Sequence, residues 1–265
     1  VAQALHGATV PVVATCRPVW EGGRFNGSEE ERRGVLASGL AHGAAYVDIE
    51  WKAGFDDLIR ANSARVVVSS HDFEGVPVDL YTRAHAMRNT GAALIKVAVS
   101  AARLSDTLPL LEIAKGGGAV VVGMGDAGVP SRLLASSFGS RWTYAGDGVA
   151  PGQVPAARML DEFRFRAVGA RTALYGVVGN NVMHSVSPAM DNAAFAAAGL
   201  DAVYVPLLAA DFDDFLTFAD ALGLAGASVT IPFKRDALHA SVASDELTRR
   251  VGAANTLRRT PDGWE

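Results

Sequence analysis

The chain has 265 residues, 49% of them hydrophobic and 20% charged, with a formal net charge of −4. That length and apolar content supply one large core or two medium ones, and the acidic balance without a basic run excludes a nucleic-acid footprint. The single cysteine, Cys16, permits no internal disulfide, and neither a signal-peptide pattern nor a bilayer-spanning apolar run is present, so a cytoplasmic enzyme is expected. The opening VAQALHGA reads as the tail of a helix, which predicts that Val1 is not the gene's own start.

Short apolar, β-rich runs then alternate with helical stretches. The first strand, Val10 to Thr15, ends in TCRPVWEGG. There the Arg17 guanidinium can hold a carboxylate in bidentate fashion, and Glu21 can orient it or relay a proton; a structural ion pair is the alternative. After a helix over Ser28 to Ala41, the strand Tyr46 to Glu50 puts Asp48 and Glu50 on one face. Buried acids need partners, and Arg17 and His71 are the candidates. The strand Arg65 to Ser70 runs into SSHDF, where His71 can remove and return a proton at neutral pH, or serve as a satisfied structural group.

Past a helix over Val78 to Asn89, the strand Leu94 to Val99 encloses Lys96 in an apolar, β-branched run. The sequence has only four lysines, Lys52, Lys96, Lys115 and Lys234, so a lysine-rich composition does not explain this one. Desolvation lowers the pKa of such an amine and frees it to attack a carbonyl carbon, the chemistry of a Schiff base. The alternative is an ammonium reaching solvent or a carboxylate. A helix over Asp106 to Lys115 precedes the strand Ala119 to Gly123 and GMGDAGVPSR. In that segment Gly123 and Gly125 allow close backbone approach, Met124 offers an apolar wall and Arg132 is available to an anion. A helix over Ser131 to Phe138, a strand over Trp142 to Ala145 and a Pro-Gly turn presenting Gln153 follow.

This alternation predicts parallel βα units in a (β/α) barrel, with the site at the C-terminal rim. Six strands are counted where a closed barrel needs eight, which predicts two hidden strands or two missing units at the start. A helix within Pro155 to Ala173 marks a boundary, giving domains at 1–165 and 172–265. The second reads as strand 173–179, helix Ser187 to Ala198, strand Ala202 to Pro206, helix Asp211 to Leu222, strand Ala227 to Ile231 and helix Lys234 to Ala240. Ser185 and Ser187 precede Pro188 near a helix start that favours a carboxylate, or act only as caps. Thr230 and Lys234 flank a strand end, and Asn255 lies in GAANT.

The series TCR…EGG, SSHDF, IKVAV, GMG…SR and APGQ, in that order over residues 8 to 165, resembles type I 3-dehydroquinate dehydratase. The resemblance implies a (β/α)8 barrel that converts 3-dehydroquinate to 3-dehydroshikimate without metal or cofactor. It makes Lys96 the imine-forming lysine, His71 the acid–base group and Arg132 the carboxylate-binding arginine, with Arg17, Glu21, Met124 and Gln153 at other pocket positions and Asp48 and Glu50 in support. The family's first two βα units have no counterpart before Val1, and Val149 stands where a small polar residue is usual.

The runs HSVSPAMDN, SVTIPFK and GAANT resemble the substrate-binding domain of shikimate dehydrogenase. By that match Ser185 and Ser187 bind the carboxylate of shikimate or 3-dehydroshikimate, Thr230 and Asn255 bind ring hydroxyls, and Lys234 is catalytic. Ser228 replaces a usual asparagine. NADP would serve the complete dehydrogenase, but its Gly-rich βαβ unit has no counterpart here, and GMGDAG is not in a dinucleotide context. Two consecutive steps of the shikimate pathway in one chain are therefore expected, acting on small molecules, with a homodimer left open and no membrane partner. A shikimate-binding pseudoenzyme and another Schiff-base lyase on the same barrel are the alternatives.

Overall fold

The computed structural model describes residues 2–148 and 150–265; Val149 lies outside the described residues. Among these, two five-stranded sheets are formed. The first is wholly parallel, in the order β1 (Val13–Thr15), β2 (Tyr46–Glu50), β3 (Val66–Asp72), β4 (Leu94–Ser100), β5 (Ala119–Met124). Each connection is a crossover carrying a helix, Glu29–Ala41, Asp56–Ala61, Leu80–Arg88 and Leu108–Lys115 in turn. Strands covered on both faces read as unbroken apolar runs, and β4 and β5 are buried along nearly their whole length.

The two faces of this sheet have different chemistry. Val47 and Ile49, Val66 and Val68, Ile95, Val97 and Val99, and Ala119 and Val121 pack into the main apolar core with the helices. The alternate residues, Asp48 and Glu50, Ser69 and His71, Lys96 and Ala98, Val122 and Met124, share the other face. The register sets them side by side, Glu50 against Ser69, Ser69 against Lys96, His71 against Ala98 and Ala98 against Val122.

The expected sixth strand does not form. Residues 142–145 are assigned to no strand, because the exposed edge of β5 is occupied differently. The Val121 N–H donates to the Ser140 hydroxyl (3.0 Å), and Arg141 donates to the Ala119 carbonyl (2.8 Å), leaving no ladder for Trp142 to enter. The helix expected over 131–138 is two short ones, Val129–Leu133 and Ala135–Phe138. The helix after Pro155 ends at Asp161, since Arg164 takes a left-handed φ of 51° that a helix does not tolerate.

The second sheet runs β10 (Gly263–Trp264), β9 (Thr256–Thr260), β8 (Gly226–Val229), β6 (Ala173–Gly179), β7 (Ala202–Leu208), with β6, β7 and β8 parallel and β9 and β10 antiparallel additions. One contiguous apolar core includes residues of both sheets, from Leu36 and Phe138 to Phe215 and Leu257. A buried carboxylate also ties the two halves. Asp214, in the helix Phe212–Leu222, accepts the backbone N–H groups of Leu104 (3.0 Å) and Ser105 (2.9 Å) in the turn after β4. Arg103 pairs with Asp211 at 2.8 Å beside it.

Candidate active site

The polar face of the first sheet gathers a chain of charges, from Lys96 and Ser69 at mid-strand to Glu50 at the end of β2. Lys96, 9% exposed, points its Nζ at Asp48 Oδ2 (3.1 Å), and Asp48 is 1% exposed. Arg17 donates to Asp48 (2.9 Å), to Glu50 (2.7 Å) and to the Ser69 hydroxyl (2.8 Å), while Ser69 donates to the other Asp48 oxygen. Arg17 thus ties β1 to β2 and β3, and both acids of the VDIE run share it. Burial drives the Lys96 ammonium below the usual lysine range, against the pull of Asp48. Burial would raise the Asp48 carboxyl, but Lys96, then Arg17 and the Ser69 hydrogen bond, hold it well below the carboxylate range.

His71 stands one residue pair beyond Ser69 and Lys96 on the same face. Glu21 accepts both its backbone N–H (2.7 Å) and its Nδ1 (3.4 Å). Burial lowers the His71 imidazolium below its ordinary value, with the Glu21 hydrogen bond opposing. For Glu21 burial raises the carboxyl and the two His71 hydrogen bonds outweigh it, so it remains ionised. A neutral imidazole with Nδ1–H directed at Glu21 leaves Nε2 as a base.

A cavity of 130 Å³ is lined by His71, Lys96, Ala98, Val122, Met124, Arg132, Tyr144, Ala150 and Gln153. Five residues singled out from the sequence therefore meet in one place: His71, Lys96, Met124, Arg132 and Gln153. Arg132 is 1% exposed and, among the described residues, donates to the carbonyls of Tyr144 (3.5 Å) and Pro151 (3.1 Å), with its Nε unpartnered there. Burial alone pulls its pKa down to about 10. No carboxylate pairs with it among the described residues. The Gln153 side-chain carbonyl accepts the Ala150 N–H at 3.0 Å, which closes the APGQ turn over the cavity.

Three residues of this network are not legible as site residues from their motifs. Ser69 bridges Arg17 and Asp48. The Tyr144 ring lies 4.7 Å from the Lys96 Nζ, and its buried hydroxyl is pushed up to about 12 by burial and then by Asp48. Arg32 pairs with Glu50 behind Arg17. One signal was available for Arg32, because it falls at i−4 and i−8 from the buried Leu36 and Leu40, on the apolar stripe of its helix.

In the second half the candidates are more dispersed. Ser185 accepts the Ser187 N–H (3.2 Å) at the start of the helix Ser187–Ala197 and lines a cavity with Arg158, Glu162 and His184. Asn255 lines a different one with Ser241, Asp245 and Thr248. The backbone brings the remaining elements together, with Thr230 donating to Val178 (2.9 Å), Val229 to Asn255 (2.8 Å) and Ala254 to Lys234 (2.8 Å). Thr230 and Lys234 line neither of those two cavities.

GMGDAG does not fit a dinucleotide. A Cβ on Gly128 would lie 2.4 Å from the Gly123 backbone, and the Gly123 N–H already donates to Ser131 at 2.8 Å, so the glycines pack strand against turn and leave no cradle for a pyrophosphate. No helix among the described residues is long and apolar enough to cross a membrane.

Comparison with known proteins adds relatives to this geometry. Residues 1–169 match the family model described as type I 3-dehydroquinase, and residues 177–257 that described as the shikimate dehydrogenase substrate binding domain. The bifunctional 3-dehydroquinate dehydratase/shikimate dehydrogenase of Arabidopsis thaliana, a chloroplastic protein, is 36% identical over 96% of this chain and 44% of its own length. The shikimate dehydrogenase (NADP(+)) of Anaeromyxobacter sp. strain K is 55% identical over 37% of this chain and 36% of its own. A solved 3-dehydroquinate dehydratase from Geobacillus kaustophilus superposes with a TM-score of 0.52 at 29% identity, over 56% of this chain and 65% of that one. The chain thus spans less than half the length of the two curated relatives.

Proposed function

The chain belongs to the type I 3-dehydroquinase family, and from that premise we propose that residues 1–165 dehydrate 3-dehydroquinate to 3-dehydroshikimate through an imine on Lys96. The observation that carries this reading is the Lys96 amine, buried and paired with Asp48, in one cavity with His71 and an Arg132 that has no carboxylate partner among the described residues. The substrate carboxylate supplies the missing counter-charge for Arg132. Lys96 Nζ attacks the ring ketone, and loss of water gives the protonated imine. That cation withdraws electrons from the adjacent carbon, His71 Nε2 takes the proton released there, and the same proton returns to the leaving hydroxyl, which departs as water. Hydrolysis of the imine frees Lys96, so the net change is loss of one water. No cofactor enters any step. Glu21 keeps the His71 ring in the tautomer this requires, and Met124 and Gln153 close the cavity.

Residues 172–265 form the proposed second domain, which binds shikimate or 3-dehydroshikimate, with Ser185 and Ser187 at the carboxylate, Thr230 and Asn255 at the hydroxyls and Lys234 beside the reacting oxygen. Reduction there requires NADP, for which GMGDAG offers no fit. A cytoplasmic location is proposed from the sequence alone, and sedimentation reads whether the protein pairs as a homodimer.

Borohydride reduction in the presence of 3-dehydroquinate tests the first half. A single adduct on the Lys96 peptide, absent from Lys96→Ala, is expected. Turnover in Lys96→Ala, or an adduct on Lys52, Lys115 or Lys234 alone, overturns the assignment.

A further inference from the structure

The charges beneath Lys96 continue beyond Arg17. Glu50, 1% exposed, takes Arg17 on Oε1 at 2.7 Å and Arg32 on Oε2. Arg32 comes from the helix Glu29–Ala41, is 0% exposed, and also meets Glu29 at 2.6 Å and 2.9 Å. Its guanidinium lies over the rings of Phe55 (4.8 Å) and Trp20 (5.6 Å), which fix its plane. Lys96, Asp48, Arg17, Glu50, Arg32 and Glu29 therefore alternate in sign from the cavity to the protein surface.

Arg17 has five donors but one position, and it serves two buried carboxylates. A buried carboxylate left with a single shared cation either draws that cation toward itself or takes up a proton. Burial already lifts the Glu50 carboxyl above its ordinary range, with Arg17 the main opposing influence and Arg32 a further one. Resting on the reading of Lys96 as the imine-forming amine, we propose that Arg32 is a positioning residue of this site: it holds Glu50 from behind, leaves the Arg17 guanidinium shared with Asp48, and so sets the net charge facing Lys96.

The other groups facing that amine are Asp48 and Glu50 from β2, Arg17 after β1, His71 from β3 with Glu21 behind it, Arg132 across the cavity and the Tyr144 ring. Among the described residues, the hydrogen bonds and ion pairs of Arg32 reach only Glu50 of this set. The effect of Arg32 on Lys96 is therefore carried by charge through Glu50 and Arg17, not by contact.

Competitive acetylation with acetic anhydride across a pH series, read by peptide mass spectrometry, reports the titration of Lys96 without any substrate. The exposed Lys52 and Lys115 are internal standards. In Arg32→Met the Glu50 carboxylate draws Arg17 away from Asp48, and with one positive charge fewer beside the amine the Lys96 midpoint is expected to rise by on the order of one pH unit, whereas uptake of a proton by Glu50 leaves it unmoved. Arg32→Lys keeps the charge and the native midpoint. Arg32→Met with Glu50→Gln removes one charge of each sign and restores it. Glu50→Gln alone lowers it, which keeps the proposal testable should Arg32→Met fail to fold. A Lys96 midpoint unmoved in Arg32→Met, or in Glu50→Gln where only that variant folds, overturns the role of Arg32. A failed borohydride adduct in the native protein bears instead on the proposed function, because acetylation needs no imine.

Discussion

Replacing Asp48 by Asn keeps the side-chain shape and removes one charge from the centre of the network. The native carboxylate accepts from Lys96 at 3.1 Å, from Arg17 at 2.9 Å and from Ser69, at 1% exposure. Removing one partner of a buried ion pair costs about 3–5 kcal/mol, because the remaining charge loses its compensation. The lower end, about 3 kcal/mol, is expected here, since Arg17 retains Glu50 and Lys96 can release its proton. The pH dependence has a definite sign. The folded carboxyl lies below its unfolded value, so its contribution is fully present above about pH 3.9 and is lost as the pH falls through that value toward the folded one. Urea denaturation of the native protein and Asp48→Asn should therefore give a constant gap from pH 7 to pH 5. By about pH 3 the gap should narrow by roughly 1 kcal/mol. A gap below about 1 kcal/mol at pH 7, or one equally large at pH 3, refutes the placement of an ionised, doubly paired Asp48 at the centre of the site.

Asp214→Ala deprives the Leu104 and Ser105 amides of their acceptor across the two halves and the Ala210 amide of one within its own. A loss of about 1–3 kcal/mol for each donor left buried should appear as faster hydrogen exchange at Leu104 and Ser105, and unchanged exchange there contradicts the tie. At Gly152 the φ of 71° and a Cβ that would lie 2.4 Å from the Gly125 carbonyl oxygen leave no room for alanine. Gly152→Ala should lower Tm through left-handed strain of roughly 1–2 kcal/mol added to a backbone clash, and an unchanged Tm refutes the close approach.

Much of the first half is legible because its chemistry sits on strands, where a period of two sorts residues onto faces. Asp48 with Glu50, and Lys96 within an apolar run, are readable as facing away from the helices with no knowledge of the neighbours. What that period cannot supply is depth in the third direction. Ser69 looks like any strand serine until the register puts it against Glu50 and Lys96. Arg32 looks like a surface arginine in SEEERRGVL, although its place on the buried stripe is visible.

The strand expected at Trp142 to Ala145 fails for a related reason. Its β propensity is real, but Ser140 supplies by a side-chain hydroxyl the acceptor that a ladder would have provided. The hairpin β9–β10 closes on Pro261 and Asp262 just before Gly263, a turn signal that could have been read. The second-half candidates sit on loops and helix starts, so their motifs name them without fixing where their side chains converge.

The alternating network explains how an amine with a lowered pKa and an ionised acid can be neighbours. Were Asp48 paired with Lys96 alone, deprotonating the lysine would strand a carboxylate in the interior at a cost of several kcal/mol, and the amine would stay charged. Here Asp48 keeps Arg17 and the Ser69 hydroxyl after the lysine proton leaves, so the loss is compensated locally. Arg17 can provide this only while Glu50 does not claim it entirely, and Arg32 meets that demand from the helix layer. Arg132 is the contrasting case, a buried guanidinium bonded to two carbonyls, with its Nε unpartnered among the described residues. The uncompensated charge in the cavity thus belongs to Arg132, which lines it together with Lys96. In the proposed reaction, an anionic substrate seated against Arg132 would add its charge there without displacing Asp48, leaving the network beneath the amine intact.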